Sequence, residues 1–402
     1  MLKYKIFKIL LLISLYTTAS FADDWDFLSV NGFGTLGVAY QDNKEVLYRD
    51  SFFTDNGSKG DISFDNYSLF GLQVDAKVTD QLSLTLQGIA SVNNENDKFI
   101  DLEWANLKYQ ITDTFDIKVG LMRLPIFMYS DILNVAYSYE PIRLPNMYSI
   151  ASFNKYKGAE LSHRLEWENT SLLSTVVYGQ TNTDNLKGFR ANGTVINSNV
   201  DADKLYGVAL KLLYEDLTLR ASYFNTETTV SNSNIERAFA QFDAMGIPVI
   251  SNTIEKYKSN HSPVSYVNLA AKYDFENAYL LGEYMDINSD SFVTDLDSWN
   301  IRAGYNFETW APFVGYSKSK SSSNYDAIAT AGIPPQMLPA IAGANQVFSA
   351  ISEGPTEANL EAVSLGVRYD LSDNAVLKFQ YDEQKRENET LRIFSSAINF
   401  VF

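Results

Sequence analysis

Phe394-Ser395-Ser396-Ala397-Ile398-Asn399-Phe400-Val401-Phe402 is the stretch whose reading decides the fold. Phe394, Ser396, Ile398, Phe400 and Phe402 share one parity, and Ser395, Ala397, Asn399 and Val401 share the other. Successive side chains of a strand point to opposite faces, so this is a strand with one greasy, aromatic face. On a soluble protein it would be an unprotected apolar edge and an aggregation risk. It makes sense where that face meets lipid and the strand closes a barrel.

The same alternation predicts sixteen strands, near 27–41, 66–78, 82–92, 100–111, 115–123, 157–167, 171–180, 204–214, 217–227, 264–273, 278–286, 298–306, 309–318, 360–370, 375–383 and 391–402. Most approach the ~10 residues that cross a bilayer at a tilt. Their connections alternate between short turns, such as Thr79-Asp80, Glu215-Asp216 and Ser372-Asp373, and long loops covering 42–65, 125–156, 181–203, 228–263, 287–297 and 319–359. Short turns on one side and long loops on the other mark an outer-membrane barrel, and an even strand count returns both termini to the short-turn, periplasmic side. Eight of the ten prolines lie in the long loops, while Pro263 and Pro312 stand near strand starts. Proline cannot donate to a ladder, so this placement agrees with the strands.

Aromatic placement agrees too. Tyr109, Trp167, Tyr214, Tyr273, Tyr305 and Tyr369 stand just before short turns, on the apolar parity. Tyr40, Tyr178, Tyr223, Tyr284, Tyr316 and Tyr381 stand at the opposite strand ends on the same parity. These form two belts at the two membrane interfaces. The belts have a gap: strand 82–92 presents Leu82, Leu84, Leu86, Gly88, Ala90 and Val92, and the first strand presents Gly32 and Gly34. Small, smooth faces permit close approach of another protein surface, so strands one to five are expected to form the interface of a cyclic trimer. Asp101 and Glu103 fall on the lipid parity of strand four. They sit in that interface, above the bilayer, or beyond a slip in the register.

Lys3, Lys5 and Lys8 precede a short apolar run, Ile9 to Tyr16, and Ser20-Phe21-Ala22 offers small residues where a signal peptidase reads. Residues 1–22 are therefore expected to be a signal peptide and 23–402 the barrel domain. Removing the leader's three lysines takes the net charge from −17 to −20, against nucleic acid as a partner. No cysteine is present, which excludes a disulfide framework and thiolate chemistry. Only His163 and His261 are present, neither with a Ser or Asp at triad spacing. An enzyme is therefore not expected, nor a metal site or cofactor.

The layout resembles the Gram-negative trimeric porins: sixteen strands, short periplasmic turns and a C-terminal Phe. More specific is the long loop after strand five. It is preceded by Val119-Gly120-Leu121-Met122-Arg123-Leu124-Pro125 and continues through Tyr129-Ser130-Asp131 and Pro141-Ile142-Arg143-Leu144-Pro145. The segment is closer to porin-like proteins of marine proteobacteria than to the enterobacterial general porins. The resemblance implies that the third loop, 125–156, folds inward as a constriction loop, here poorer in acids than the usual porin pattern. It also implies that the terminal strand, Phe400 and Phe402 above all, is the signal read by the barrel-assembly machinery.

A sixteen-stranded barrel is wide enough for an aqueous channel. The inward parity then lines water, and it carries Lys118, Arg164, Arg220, Arg302, Arg368 and Lys378 among its basic residues. Asp131, Glu140 and Arg143 come from the third loop. Its acids are expected to face Arg164, Arg220, Arg302 or Arg368 and set a transverse field that favours polar solutes and selects ions. Stretches Ile235 to Met245 and Ala327 to Ile351 look helical within two long loops, where they cover the pore mouth, grip a neighbouring subunit or move freely.

The sequence thus predicts an all-β, 16-stranded antiparallel transmembrane β-barrel with an inward-folded third loop. It is expected in the outer membrane of a Gram-negative bacterium, as a homotrimer in lipid passing small hydrophilic solutes and ions by diffusion. A substrate-specific channel of the same fold, or a closed barrel whose loops serve as adhesin or phage receptor, are the competing readings.

Overall fold

The computed structural model describes residues 27–51, 54, 57–92, 99–150, 154–189, 195–353, 358–386 and 389–402. The leader expected at 1–22 lies outside them. Sixteen strands form the wall: β1 (Leu28–Gln41), β2 (Leu69–Lys77), β3 (Leu82–Ser91), β4 (Ile100–Gln110), β5 (Phe115–Arg123), β6 (Lys155–Trp167), β7 (Thr170–Phe189), β8 (Val195–Tyr214), β9 (Leu217–Ser231), β10 (Ser262–Asp274), β11 (Ala278–Ser289), β12 (Asp295–Tyr305), β13 (Trp310–Ser322), β14 (Leu360–Ser372), β15 (Ala375–Arg386) and β16 (Glu389–Val401). Each pairs antiparallel with the next, and β16 returns to β1 with Phe33 opposite Val401 and Gln41 opposite Ile393, which closes the barrel. A two-residue strand, Ile62–Ser63, adds to the end of β1 at Ala39 and Tyr40.

Alternation decides what each side chain meets. On β7, Val176 is 55% exposed while Val177 beside it is 1% exposed. The same residue type thus faces outside and inside by parity alone. The aromatic belts are in place: Tyr109, Trp167, Tyr214, Tyr273 and Tyr305 are exposed at the short-turn ends, and Tyr40, Tyr178, Tyr223 and Tyr284 at the others. Tyr316, Tyr369 and Tyr381 lie against Trp299, Trp310 and Phe394. The tightest short turns take positive φ without glycine, at Glu168 (43°), Glu215 (49°) and Glu308 (53°). Such backbone suits the twist of a two-residue hairpin.

Three expectations change. Segment 181–203, expected as a loop, is largely strand: β7 and β8 pair on to Phe189 opposite Val195. Its polar run Thr181-Asn182-Thr183-Asp184 shows no apolar face, because a ladder that outruns the bilayer is wet on both sides.

Second, β4 carries a bulge. Gln87 pairs with Trp104 and Gly88 with Leu102, which leaves Glu103 unpaired and flips the parity there. Ile100 and Leu102 are the exposed residues, and Glu103 is buried on the inner side. A charge on the lipid face costs up to ~2–4 kcal/mol near the bilayer middle. The bulge removes Asp101 and Glu103 from that position.

Third, Gly32 and Gly34 are not bare. A Cβ on Gly32 would lie 2.1 Å from the Phe402 ring, and one on Gly34 would lie 2.4 Å from the Phe400 ring. The small residues of β1 are covered by the rings of Phe402 and Phe400, so this part of the outer face is not the smooth surface expected.

Opposite the short turns, three helices form a cap: α1 (Ser233–Asp243), α2 (Pro248–Tyr257) and α3 (Leu338–Ser352). The Asn232 side chain caps α1 by accepting from the amides of Asn234 and Ile235. Pro248 opens α2, where a missing N–H costs nothing. Phe239, Ile250, Ile254, Ile341, Ala344 and Phe348 share a buried cluster with Phe292 of the loop between β11 and β12. Helical spacing revealed α1 and α3 in the sequence, but not α2.

Candidate functional site

The segment after β5 lies inside the barrel. From Leu124 to Tyr148 its apolar residues Ile126, Phe127, Leu144, Met147 and Tyr148 join a buried cluster with Phe224, Met285 and Ile287 of the inner wall. Polar groups on β9 to β15 fix its backbone. Glu283 on β11 accepts from the Met128 amide (2.9 Å), from the Tyr148 hydroxyl (2.5 Å) and from Asn268 (3.1 Å). Lys378 on β15 donates to the carbonyls of Ala136 (2.5 Å), Tyr139 (2.5 Å) and Pro141 (3.2 Å). Gln380 accepts from the Ile142 amide at 2.7 Å, and Ser222 donates to the Ile126 carbonyl at 3.0 Å. A buried polar group needs such partners, so each wall side chain specifies one stretch of loop backbone.

The residues singled out from sequence fall into two groups. Those under the loop face it rather than open space. Arg302 is buried, donates to the Tyr129 hydroxyl (2.8 Å) and lies over the Tyr129 ring. Arg368 donates to the Tyr137 carbonyl (2.5 Å) and pairs with Asp370 (2.7 Å). Glu140 accepts from the Tyr279 hydroxyl at 3.1 Å. Arg143 donates to Asn146 (3.1 Å) and lies over the Tyr48 ring of the first long loop. Arg302, Arg368 and Lys378, expected to line the passage, thus lie against the loop. The physical reason is where the segment packs: its rings and backbone lie against inner-wall residues of β9 to β15.

The second group borders open space instead. A chamber of about 310 Å³ toward the short turns, the lower chamber, is lined by Lys108, Lys118, Arg123, Arg164, Lys211 and Arg220, with Asp116, Asp131 and Glu160 as its carboxylates. Lys118 pairs with Glu160 (2.9 Å), Lys108 with Asp116 (3.3 Å), and buried Arg220 with the exposed Asp131 of the loop (3.3 Å). Arg164 is solvent-exposed here, and among the described residues no loop acid forms an ion pair with it. Of the loop acids, Asp131 pairs directly with Arg220, and Glu140 stands near Arg302 across the Tyr279 ring that both contact.

A second, upper chamber, about 250 Å³, lies between the first and third long loops and β1 to β6, and Arg123 borders both chambers. There Arg123 and Lys155 flank Glu103, with Arg123 bonded to Glu103 Oε2 and Lys155 to Glu103 Oε1 (3.0 Å) and to Asp101. Asn134 of the loop also donates to Glu103, at 3.2 Å. The loop therefore touches both walls, and this cluster stands where the chambers meet. Residue types alone do not reveal it; the misplaced acids Asp101 and Glu103 were its signal. In the second chamber burial pushes the Asp50 carboxyl up to about 7, opposed by the nearby Arg143 guanidinium.

Among the described residues no group of His, Cys, Asp and Glu is arranged to hold a metal ion. His163 stacks on Phe115 on the outer face.

A family profile described as Gram-negative porin matches residues 10–389. Among solved structures, the chain is similar to the outer-membrane channel DcaP of Acinetobacter baumannii, with a TM-score of 0.57 at 9% identity over 93% of this chain and 97% of that one. An anion-selective porin from Comamonas acidovorans gives 0.54 at 11% identity, covering 93% and 99%. OmpF of Salmonella typhi, in a complex with daunomycin, gives 0.52 at 14% identity, covering 93% and 97%. At such identities the likeness to these structures concerns the fold. Among curated proteins none matches the sequence.

Proposed function

This chain belongs to the Gram-negative porin family, an outer-membrane channel for passive diffusion, and from that premise we propose that it favours anions and works as a homotrimer. The observation that carries the first reading is the composition of the lower chamber, six cations against three carboxylates. Each carboxylate there has a cationic neighbour, so the remaining charge is positive. Rings of charge at close quarters select the ions that pass. The segment 125–156 acts as the constriction loop, and Arg164, Lys118, Arg220 and Asp131 act on the solute directly. Arg302, Arg368, Lys378, Glu140 and Arg143 act by holding the loop.

The trimer reading is supported by the outer face of β2 to β5, where Leu72, Leu86, Ile100, Leu102, Leu107 and Val119 are exposed. It is a smooth aliphatic surface, interrupted by few rings, that suits helix-free close packing of barrel on barrel. Phe400 and Phe402 serve the assembly machinery as well as the seam.

Recording from planar bilayers under a KCl gradient tests the channel reading. An ohmic conductance with a reversal potential on the chloride side is expected. A reversal potential on the potassium side overturns the anion preference, and folded protein without conductance overturns the channel. Native mass measurement reads the oligomer separately; a monomer alone sinks the trimer.

A further inference from the structure

Two pairs of like charges face the lower chamber. Lys108 of β4 stands directly opposite Lys118 of β5, and Lys211 of β8 stands directly opposite Arg220 of β9. Like charges directly opposite across a ladder destabilise the sheet. The wall answers the first pair itself: Asp116 lies 3.3 Å from Lys108, and Glu160 lies 2.9 Å from Lys118. The second pair receives one carboxylate, Asp131 of the loop, on Arg220. Among the described residues no carboxylate pairs with Lys211, and none pairs with Arg164.

Register fixes how these two cations stand. Arg164 on β6 is opposite Leu173 on β7, Leu173 is opposite Lys211, and Lys211 is opposite Arg220. The four make one row across four strands, and all of them line the chamber. Arg164 and Lys211 are two strand spacings apart, about 10 Å along the wall, with an aliphatic side chain between them. Arg164 is exposed, and Leu173 and Lys211 are half-buried, so each presents surface to the chamber. A compact anion reaches one end of this row. An anion with a charge at each end of a short hydrocarbon chain reaches both, and its chain lies on Leu173.

We infer that the row binds small dicarboxylates, with one carboxylate on Arg164, the other on Lys211 and the chain over Leu173. The guanidinium takes its carboxylate through two parallel hydrogen bonds, and the ammonium serves as a point charge. Asp131, the acid beside Lys211's end of the row, is already held by Arg220, so the second carboxylate meets a neutralised neighbour. The inference rests on the anion preference proposed above and adds a solute class to it. Net charge alone selects sign; this row selects the spacing between two charges.

The test is isothermal titration calorimetry of the full chain in nanodiscs of zwitterionic lipid, with adipate, adipate monoamide and sulfate as probes at one ionic strength. Saturable adipate binding is expected, about three- to tenfold tighter than that of the monoamide, which keeps the chain and loses one carboxylate. Sulfate, a compact dianion, should bind more weakly than adipate. Arg164→Gln should lower adipate affinity to that of the monoamide. Leu173→Asn, which leaves every charge in place, should weaken adipate and leave sulfate unchanged. Heat-modifiable gel mobility confirms that each variant folds. No saturable adipate binding to the wild-type protein overturns the proposal, as does monoamide or sulfate binding as tight as adipate, or undiminished adipate binding to folded Arg164→Gln. Undiminished adipate binding to folded Leu173→Asn overturns the role given to the chain. The heat of binding needs no current, so chloride preference without adipate binding overturns the site alone. Adipate binding by a protein that prefers potassium overturns the anion preference alone.

Discussion

Phe402 covers Gly32: a methyl group on that glycine would sit 2.1 Å from the ring's Cζ. Phe400 covers Gly34 in the next register position, and Asn399 donates to Thr35 Oγ1 on the inner side at 2.8 Å. The seam between β1 and β16 is thus packed on both faces, with aromatic rings standing in for the side chains that glycine lacks. Gly32→Val should force the ring aside, at about 1–3 kcal/mol for an overpacked contact. The measurement is the folded fraction by heat-modifiable gel mobility after refolding into detergent. Adding Phe402→Ala to Gly32→Val should recover part of the loss; no recovery would separate the two residues.

Lys378→Met should loosen the third loop. It leaves the carbonyls of Ala136, Tyr139 and Pro141 without their common donor, at about 1–3 kcal/mol for each that stays buried and unpaired. Single-channel traces should show higher conductance and more open-state noise than the wild type. Conductance and noise equal to wild type would mean that Glu283 and Gln380 suffice to hold the loop.

Arg164→Gln with Lys211→Gln should move the reversal potential toward cations, because both side chains border the lower chamber. A unit charge about 6 Å from an ion in water is worth ~0.7 kcal/mol, roughly a threefold change in relative occupancy. Arg302→Gln should shift selectivity less, since Arg302 is buried under the loop; its effect should appear in the noise instead. An equal selectivity shift from Arg302→Gln would place the permeation route on the wrong side of the loop.

The upper chamber should respond to pH. Its Asp50 carboxyl is held by burial at about 7, so it is neutral below that pH and gains a negative charge above it. Raising the pH from about 6 to 8 should shift the reversal potential toward cations, and Asp50→Asn should flatten that response. A pH response that survives in Asp50→Asn would assign the titration to another group.

The wall was legible because lipid imposes one demand on every strand: an apolar outer parity. That demand located β5 at both ends and all sixteen strands in order. It failed wherever the demand lapsed. Thr181-Asn182-Thr183 reads as loop because a ladder above the bilayer needs no apolar face. The bulge at Glu103 hides because one unpaired residue reverses parity without changing composition. The loop's partners were beyond reach for another reason. Lys378 and Glu283 look like wall charges on their own strands, and only the fold brings them to Tyr139 and Tyr148, more than a hundred positions away.

The seam has a consequence for the order in which the barrel forms. Fifteen of the sixteen pairings join consecutive strands, most through local connections, and can zip as they are delivered. The sixteenth joins Thr35 to Asn399, 364 positions apart. Loop-closure entropy rises only logarithmically, so this costs roughly 2–3 kcal/mol more than closing a 20-residue hairpin. The larger obstacle is sequence: β16 cannot meet β1 until every intervening strand has been placed. Until then the curved sheet keeps two open edges, β1 and the last strand added. Closure is a single late event in which Phe400 and Phe402 reach the glycines left bare for them.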